Sequence, residues 1–298
     1  MSDAQSSSVH VPVLLDAVVR WLDPRPDMVM VDGTLGGGGH TRALVERVGA
    51  NGLVIAIDRD PEAIDKGQQK FAGMPVRLAQ ANFCDLPEVL ESLNIKTVDG
   101  VILDLGVSSD QLADARRGFS FSLTGPLDLR FDPMSGEPAR RLINRLSAEH
   151  LADLIFHYGE ERYSRLIARA VVDERRNKPI ETSLELAELI RRSVPRAREE
   201  RIDPATRTFQ ALRIAVNDEL KSLEIGLRRI PGCLRPGARM AVISFHSLED
   251  RRVKEAFRND QRLKNLTLKP IRPEEEEIQR NPRSRSAKLR VAERVDTK

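Results

Sequence analysis

Short apolar runs that end in aspartate punctuate the first hundred residues, with helix-patterned segments between them. Met28–Asp32 (MVMVD), Leu53–Ile57 closing at Asp58, Val76–Ala79, and Val98–Leu103 closing at Asp104 have the length and composition of buried strands. His40–Val48 carries Ala43, Leu44 and Val48 on one helical face and stops at Gly49 and Gly52. A further helix starts at Pro61 and runs to about Phe71. Strand and helix in alternation predict right-handed crossovers and a parallel sheet covered on both faces, an α/β fold.

The next strand pattern, Arg239–Phe245 (RMAVISF), begins 135 positions after Asp104. A helix with short loops needs only about 30 residues to join parallel strands. The surplus reads as helical. Leu151–Tyr158 ends at Gly159, Arg162–Arg175 before Pro179 and Leu184–Val194 before Pro195, and a long helix follows Asp203-Pro204 to about Ile230. We therefore expect a core of residues 1–109 and 208–298 interrupted by a helical domain over 110–207. After the late strand, Ser247 is expected to cap a helix, with Asp250 three residues on.

Composition narrows the class. The 298 residues are 40% apolar and 31% charged, enough for a packed core, and no apolar run approaches the ~18 residues of a membrane span. The first ten residues, MSDAQSSSVH, lack the basic-then-apolar order of a secretion signal and read as a short leader. Two cysteines, Cys84 and Cys233, fit a reducing cytoplasm and can supply neither a disulfide framework nor a four-ligand zinc site. The five histidines show no metal-ligand spacing, so no catalytic metal is expected. Net charge is only +3, but 38 of the 48 cationic residues are arginine, and the stretch from Arg251 to Lys298 carries a local +7. Arginine suits bidentate phosphate recognition, and the imbalance permits an RNA partner.

The candidate chemistry centres on Asp32-Gly-Thr-Leu-Gly-Gly-Gly-Gly-His40, between a strand and a helix. The dinucleotide fingerprint G-x-G-x-x-G/A fails, because Thr41 or Arg42 falls at its last position. A phosphate-binding P-loop fails for want of a lysine. What remains is a loop that approaches a ligand without a pyrophosphate, and S-adenosylmethionine fits. Its carboxylate can use backbone N–H groups at the helix start. Its ribose diol wants an acid at the second strand's end, where Asp58 stands about 20 residues on.

Further stretches carry a resemblance along nearly the whole chain. They include His10–Leu15 (HVPVLL), Ala56–Asp60 (AIDRD), Leu103–Ser109 (LDLGVSS), Arg117–Phe121 (RGFSF) and Gly125–Asp128 (GPLD). Tyr158–Arg162 (YGEER), Ala205–Ile214 (ATRTFQALRI), Ile243–Arg251 (ISFHSLEDR) and Asn281–Arg290 (NPRSRSAKLR) continue it. In this order they resemble the bacterial 16S rRNA cytosine-N4 methyltransferase family, RsmH or MraW. The resemblance implies a class I, Rossmann-like SAM-dependent methyltransferase core with an inserted helical domain that recognises the cytidine. It also implies methylation of a decoding-centre cytidine of 16S rRNA in the small ribosomal subunit, with no DNA or membrane partner.

Carried over residue by residue, the resemblance implies SAM contacts from Gly38, Gly39, His40, Asp58, Phe83, Asp104 and Gln111. Asp104 is also the candidate acceptor for the N4 proton, since the exocyclic amine of cytosine is a weak nucleophile that an acceptor would orient and deprotonate. The chain reads Asp-Leu-Gly-Val at that point, where many amino-methyltransferases carry D/N-P-P-Y/F, so the stacking aromatic must come from elsewhere. Phe119 and Phe121 are candidates for it. His246, Arg207, Arg213, Arg251 and Arg252 are candidates for contact with base or backbone. Two other readings compete: the same fold acting on another substrate, and a non-catalytic RNA-binding assembly factor.

Overall fold

The computed structural model describes residues 12–195 and 203–296; the leader over 1–10 and the first two residues of the motif starting at His10 lie outside them. Helix α1 (Leu15–Leu22) precedes an alternating series: β1 (Val29–Asp32), α2 (Gly39–Val48), β2 (Leu53–Asp58), α3 (Pro61–Lys70), β3 (Val76–Gln80), α4 (Leu86–Ser92) and β4 (Val98–Asp104). A helical stretch follows: α5 (Ser109–Ala113), α6 (Ala139–Arg145), α7 (Ala148–Gly159), α8 (Ser164–Asn177), α9 (Ser183–Ser193), α10 (Ala205–Asn217) and α11 (Glu219–Arg229). The chain closes with β5 (Leu234–Ser244), α12 (Ser247–Asn259), β6 (Leu263–Asn265), α13 (Glu275–Arg280) and β7 (Lys288–Arg294).

It divides into two compact units, one formed by residues up to Gly106 together with those from Ser222 onward, the other by Val107–Lys221. The first unit holds a seven-stranded sheet in the order β3-β2-β1-β4-β5-β7-β6. The β1–β2, β1–β4, β2–β3 and β4–β5 pairs are parallel, and β7 runs antiparallel to both β5 and β6. This is the Rossmann-like α/β class expected. Side chains alternate between two cores with the period of two that strands impose. Val31, Ile55, Ile57, Val101, Leu103, Met240 and Val242 face one core with Leu86, Leu90, Leu223, Leu227 and Phe257. Met30, Val54, Ile102, Ala241, Ile243 and Val291 face the other with Val18, Leu22, Leu44 and Val48. Strands buried on both faces have no polar alternation to show, which is why they read as continuous apolar runs.

The second unit is helical around Leu151, Ile155, Ile167, Val171, Leu186, Ile190, Phe209 and Leu212. It ends at Lys221, so all of α10 lies within it, whereas the expected boundary returned the chain to the core at 208. Packing explains the difference: α10 lies against α7, α6 and α9, and its Phe209 and Leu212 are buried in that core. The long helix expected as far as Ile230 is broken at Asp218, whose φ of 50° places it in the left-handed region.

The cap of α12 also differs. His246, one residue before Ser247, is the N-cap: its Nδ1 accepts from Glu249 N–H (3.3 Å), while Glu249 Oε2 accepts from His246 N–H (3.3 Å) and Phe245 N–H (2.8 Å). Asp250 is thereby released for another task. It accepts from Arg290 Nε at 2.7 Å and from Lys288 Nζ at 3.3 Å, tying α12 to β7. No helix among the described residues is long and apolar enough to cross a membrane.

Candidate active site

Strand order reverses between β1 and β4, because the chain proceeds from β1 outward through β2 and β3 and returns to β1's other side with β4. In open α/β sheets the loops beyond the carboxyl ends of the strands part at such a point and leave a crevice. Here the first of those loops is the glycine-rich stretch before α2. Gly33 N–H donates to Ile102 O in β4 (2.9 Å) and Leu35 N–H to Ile57 O in β2 (2.8 Å), so the loop is stapled to both neighbouring strands. A side chain at Gly33 would meet Leu103 Cδ2 at 2.4 Å. Gly38 caps α2 at φ 73°, with the Phe71 ring 2.9 Å from where its Cβ would stand. Helix α2 thus begins with no side-chain cap and no acid in its first turn. An anion can find its N–H donors there.

Three acids and a histidine surround this loop. Asp32 is fully buried and accepts from Thr41 Oγ1 (2.7 Å) and Thr34 N–H (3.1 Å). Burial pushes its carboxyl above the usual range, against the pull of His40 and Thr41. Thr34 Oγ1 in turn accepts from Asp104 N–H (2.7 Å), so one hydroxyl links the ends of β1 and β4. The Asp104 carboxylate stands 3.4 Å from Nε2 of His40, whose side chain is 5% exposed. Burial pulls the His40 imidazole down, but Asp104 and, behind it, Asp32 outweigh this and leave it raised above its ordinary value. That contact lacks hydrogen-bond geometry: both ring nitrogens of His40 and Oδ1 of Asp104 are buried without a partner among the described residues. Such groups cost about 1–3 kcal/mol each when left dry, so they point to a ligand.

Asp58, at the end of β2, binds the loop itself. Its Oδ2 accepts from Gly36 N–H (2.8 Å) and its Oδ1 from Asp60 N–H (2.9 Å), leaving each oxygen a second lone pair. Burial pushes this carboxyl up to about 6, more than the two N–H donors pull it down. Phe83 is half-buried in a short turn whose first residue, Asn82, accepts from Cys84 N–H (3.3 Å) and donates to Ser222 Oγ (2.9 Å). Gly33 and Gly226 lie against that ring's side chain, and neither position has room for a Cβ without movement.

Gly38, Gly39, His40, Asp58, Phe83 and Asp104 are therefore all in the first unit, on the carboxyl-end loops or strand ends of the sheet. His246 follows β5 at the same sheet edge and is held in its cap. Arg252 is engaged by Glu224 (2.6 Å) and by Leu248 O (3.1 Å), whereas Arg251 is exposed. In the second unit, Gln111 is buried and forms a capping box with Ser108. Phe119, a candidate for stacking on the base, is buried in the core of this unit and stacked on Phe131 with centroids 5.6 Å apart. Phe121 meets Phe209 edge-on at 5.2 Å. Arg213 is held at 2.8 and 2.9 Å by Glu219, and Arg207 is half-exposed with Glu161 at 3.9 Å. The Thr34–Thr41–Asp32 bracing was not anticipated; its signal was the hydroxyl residues on either side of the glycine run.

Comparison with known proteins bears on the same residues. A family model described as the MraW methylase family matches residues 7–295. A protein of Thermomicrobium roseum named Ribosomal RNA small subunit methyltransferase H is 50% identical, with 97% of this chain and 94% of that protein covered. Proteins of the same name from Rhodopirellula baltica (49% identical, 99% and 96% covered) and Deinococcus radiodurans (51%, 96% and 90%) are similar along almost their whole length.

Proposed function

The chain belongs to the MraW methylase family, and from that premise we propose that it transfers a methyl group from S-adenosylmethionine to N4 of a decoding-centre cytidine of 16S rRNA in the small ribosomal subunit, in the cytoplasm. The observation that carries this reading is the buried His40 ring, unsatisfied among the described residues, beside the partly exposed Asp104 carboxylate and an uncapped helix start at the sheet's switch point. S-adenosylmethionine fits those residues: the α2 N–H groups and His40 suit its carboxylate, Asp58 its ribose hydroxyls, and Phe83 its adenine. When bound it supplies a methyl group on a sulfonium. The protein's own contribution is orientation and dryness. Asp104 accepts a hydrogen bond from the N4 amino group and takes its proton. His40, whose imidazole Asp104 and Asp32 raise above its ordinary pKa against the effect of burial, keeps that carboxylate in place. Recognition of the cytidine belongs to the helical unit.

The test is transfer of label from methyl-labelled S-adenosylmethionine to small subunits that lack the modification, beside naked rRNA, DNA and protein. Digestion to nucleosides is expected to return the label as N4-methylcytidine from the subunits. Label elsewhere would replace the substrate, and no binding of S-adenosylmethionine by calorimetry would leave only a non-catalytic RNA-binding factor.

Asp58 makes a second expectation measurable. Its folded pKa, raised to about 6 from 3.8, means that the native protein prefers it protonated, so stability from this group is fully present below about pH 3.8 and lost as pH rises through 6. Ribose hydroxyls donating to it favour the opposite, ionised form. Affinity for S-adenosylmethionine is therefore expected to fall about tenfold between pH 7 and pH 5. Calorimetry across that range checks it, and Asp58→Asn should flatten the profile; a flat wild-type profile would remove Asp58 from the contact.

A further inference from the structure

The arginines that sequence position nominated for RNA are largely spoken for, Arg213 by Glu219 and Arg252 by Glu224. A different set is exposed on the helical unit. From Arg162 to Val172 the chain carries three arginines and no acid. Arg165 and Arg169 are exposed and stand one turn apart on α8, about 6 Å along its axis, with exposed Leu166 between them on the same face. Neither arginine forms a salt bridge among the described residues. Arg162, just before α8, lays its guanidinium over the Tyr163 ring at 4.6 Å.

The farther half of α8 is different. Arg176 is paired with Asp173 (3.0 Å), Lys178 with Glu185 (2.6 Å), and Arg175 donates to Ile143 O. Glu174 is taken by Arg192 (2.8 Å), and Glu161 is turned inward with its Oε1 accepting from Tyr163 N–H (2.8 Å). Charge along the helix is thus segregated, with the near half left cationic. Arg165 lies in the first turn, where no acid offsets the positive end of the helix dipole. The helix dipole opposes a cation there, so local stability does not account for it.

The adjoining end of α7, which packs on α8, exposes Phe156 (54%), His157 and Tyr158 (37%), while Leu166 on α8 is 43% exposed. Phe156 and His157 meet edge-on with centroids 5.4 Å apart. Exposed aromatic faces on the same hairpin as Arg165 and Arg169 match the two requirements of an RNA strand, cations for phosphates and flat apolar surfaces for unpaired bases.

We propose that the α7–α8 hairpin is a docking face for 16S rRNA outside the methylated nucleotide, with Arg165 and Arg169 on the phosphodiester backbone and Phe156 beneath an unpaired base. This rests on the rRNA reading above and deepens it. It states where the helical unit grips the particle, independently of how the cytidine enters the crevice.

The experiment is equilibrium binding of the full chain to small ribosomal subunits and to naked 16S rRNA over ~0.05–0.3 M salt, across which the Debye length falls from about 14 to about 6 Å. Arg165→Gln/Arg169→Gln is expected to weaken both about tenfold near 0.1 M salt and to lower the log–log salt slope by about 1.5. Arg165→Lys/Arg169→Lys should keep the slope, and Phe156→Ala should weaken binding severalfold without changing it. Unchanged S-adenosylmethionine affinity and thermal midpoint confirm that the variants are folded. A wild-type salt slope in the glutamine variant would overturn the proposal, as would wild-type protein that binds neither RNA. Weaker binding to subunits with unchanged binding to naked rRNA would assign the face to a protein partner and overturn it too. Wild-type protein that binds RNA with the expected slope yet transfers no methyl group would overturn the enzymatic reading and leave the docking face standing.

Discussion

Asp104→Asn is expected to slow methyl transfer by about a hundredfold to ten-thousandfold, the range that a positioned proton acceptor contributes. The variant isolates chemistry from folding because the architecture uses the backbone of this residue. Asp104 N–H donates to Thr34 Oγ1 whatever the side chain is, while Oδ1 of the carboxylate has no partner among the described residues. The amide retains the shape but cannot take up a proton. It also removes the charge that, together with Asp32, holds the buried His40 imidazole above its ordinary pKa. Initial rates on unmodified small subunits, with calorimetry of S-adenosylmethionine alongside, separate the possibilities. A lost rate with wild-type affinity places Asp104 in the proton transfer, equal losses in both place it in cofactor binding, and a wild-type rate removes it from the mechanism.

The largest effect on stability is expected from Asp250→Ala. Asp250 accepts from Arg290 Nε at 2.7 Å, and the Arg290 side chain is 5% exposed, so removing the acid strands a guanidinium inside the protein. Breaking one side of a buried pair costs about 3–5 kcal/mol; with Asp250 itself partly exposed we expect about 3, a fall in thermal midpoint of roughly 6–10 °C. Arg290→Met placed on top of Asp250→Ala should recover much of it, since the stranded charge is then gone. Acid has the same effect as the mutation. Burial pushes the Asp250 carboxyl up, but Arg290 and Lys288 outweigh it and leave it below its ordinary 3.8. The stabilisation is therefore present above about pH 4 and lost as pH falls through the lowered value. Thermal unfolding of the three proteins from pH 3 to pH 7 checks both points, and a midpoint of the Asp250→Ala protein equal to wild type would refute them.

These two aspartates show how unevenly a sequence reveals a site. Asp104 was legible because it closes an apolar run, and a strand end at the carboxyl edge of a parallel sheet is a defined place. Asp58 was found by the same argument. Asp250 was misread: three residues after Ser247 it fitted a capping box, yet His246 and Glu249 form that box and Asp250 belongs to an ion pair with a strand forty residues away. Phe119, one candidate for the stacking aromatic that the Asp104 segment lacks, is buried against Phe131 by contacts that the sequence does not show. The acidic partners of the candidates Arg213 and Arg252, Glu219 and Glu224, became visible only in the fold.

Sequence by itself determined the alternation of buried strands and amphipathic helices, the presence and helical nature of the insertion, and the glycine loop with its two strand-end acids. These depend on local periodicity and on backbone conformations that particular residues permit or forbid, which neighbours along the chain are enough to specify. Only the tertiary structure decided which strands lie side by side, and hence where the crevice opens. It also decided that α10 belongs to the helical unit, that His40 is sealed beside Asp104, and which arginines are neutralised and which stay exposed on α8. Burial and charge pairing are set by residues tens or hundreds of positions apart. A carboxylate or guanidinium therefore acquires its role only when folding has chosen its partner and removed the water around it.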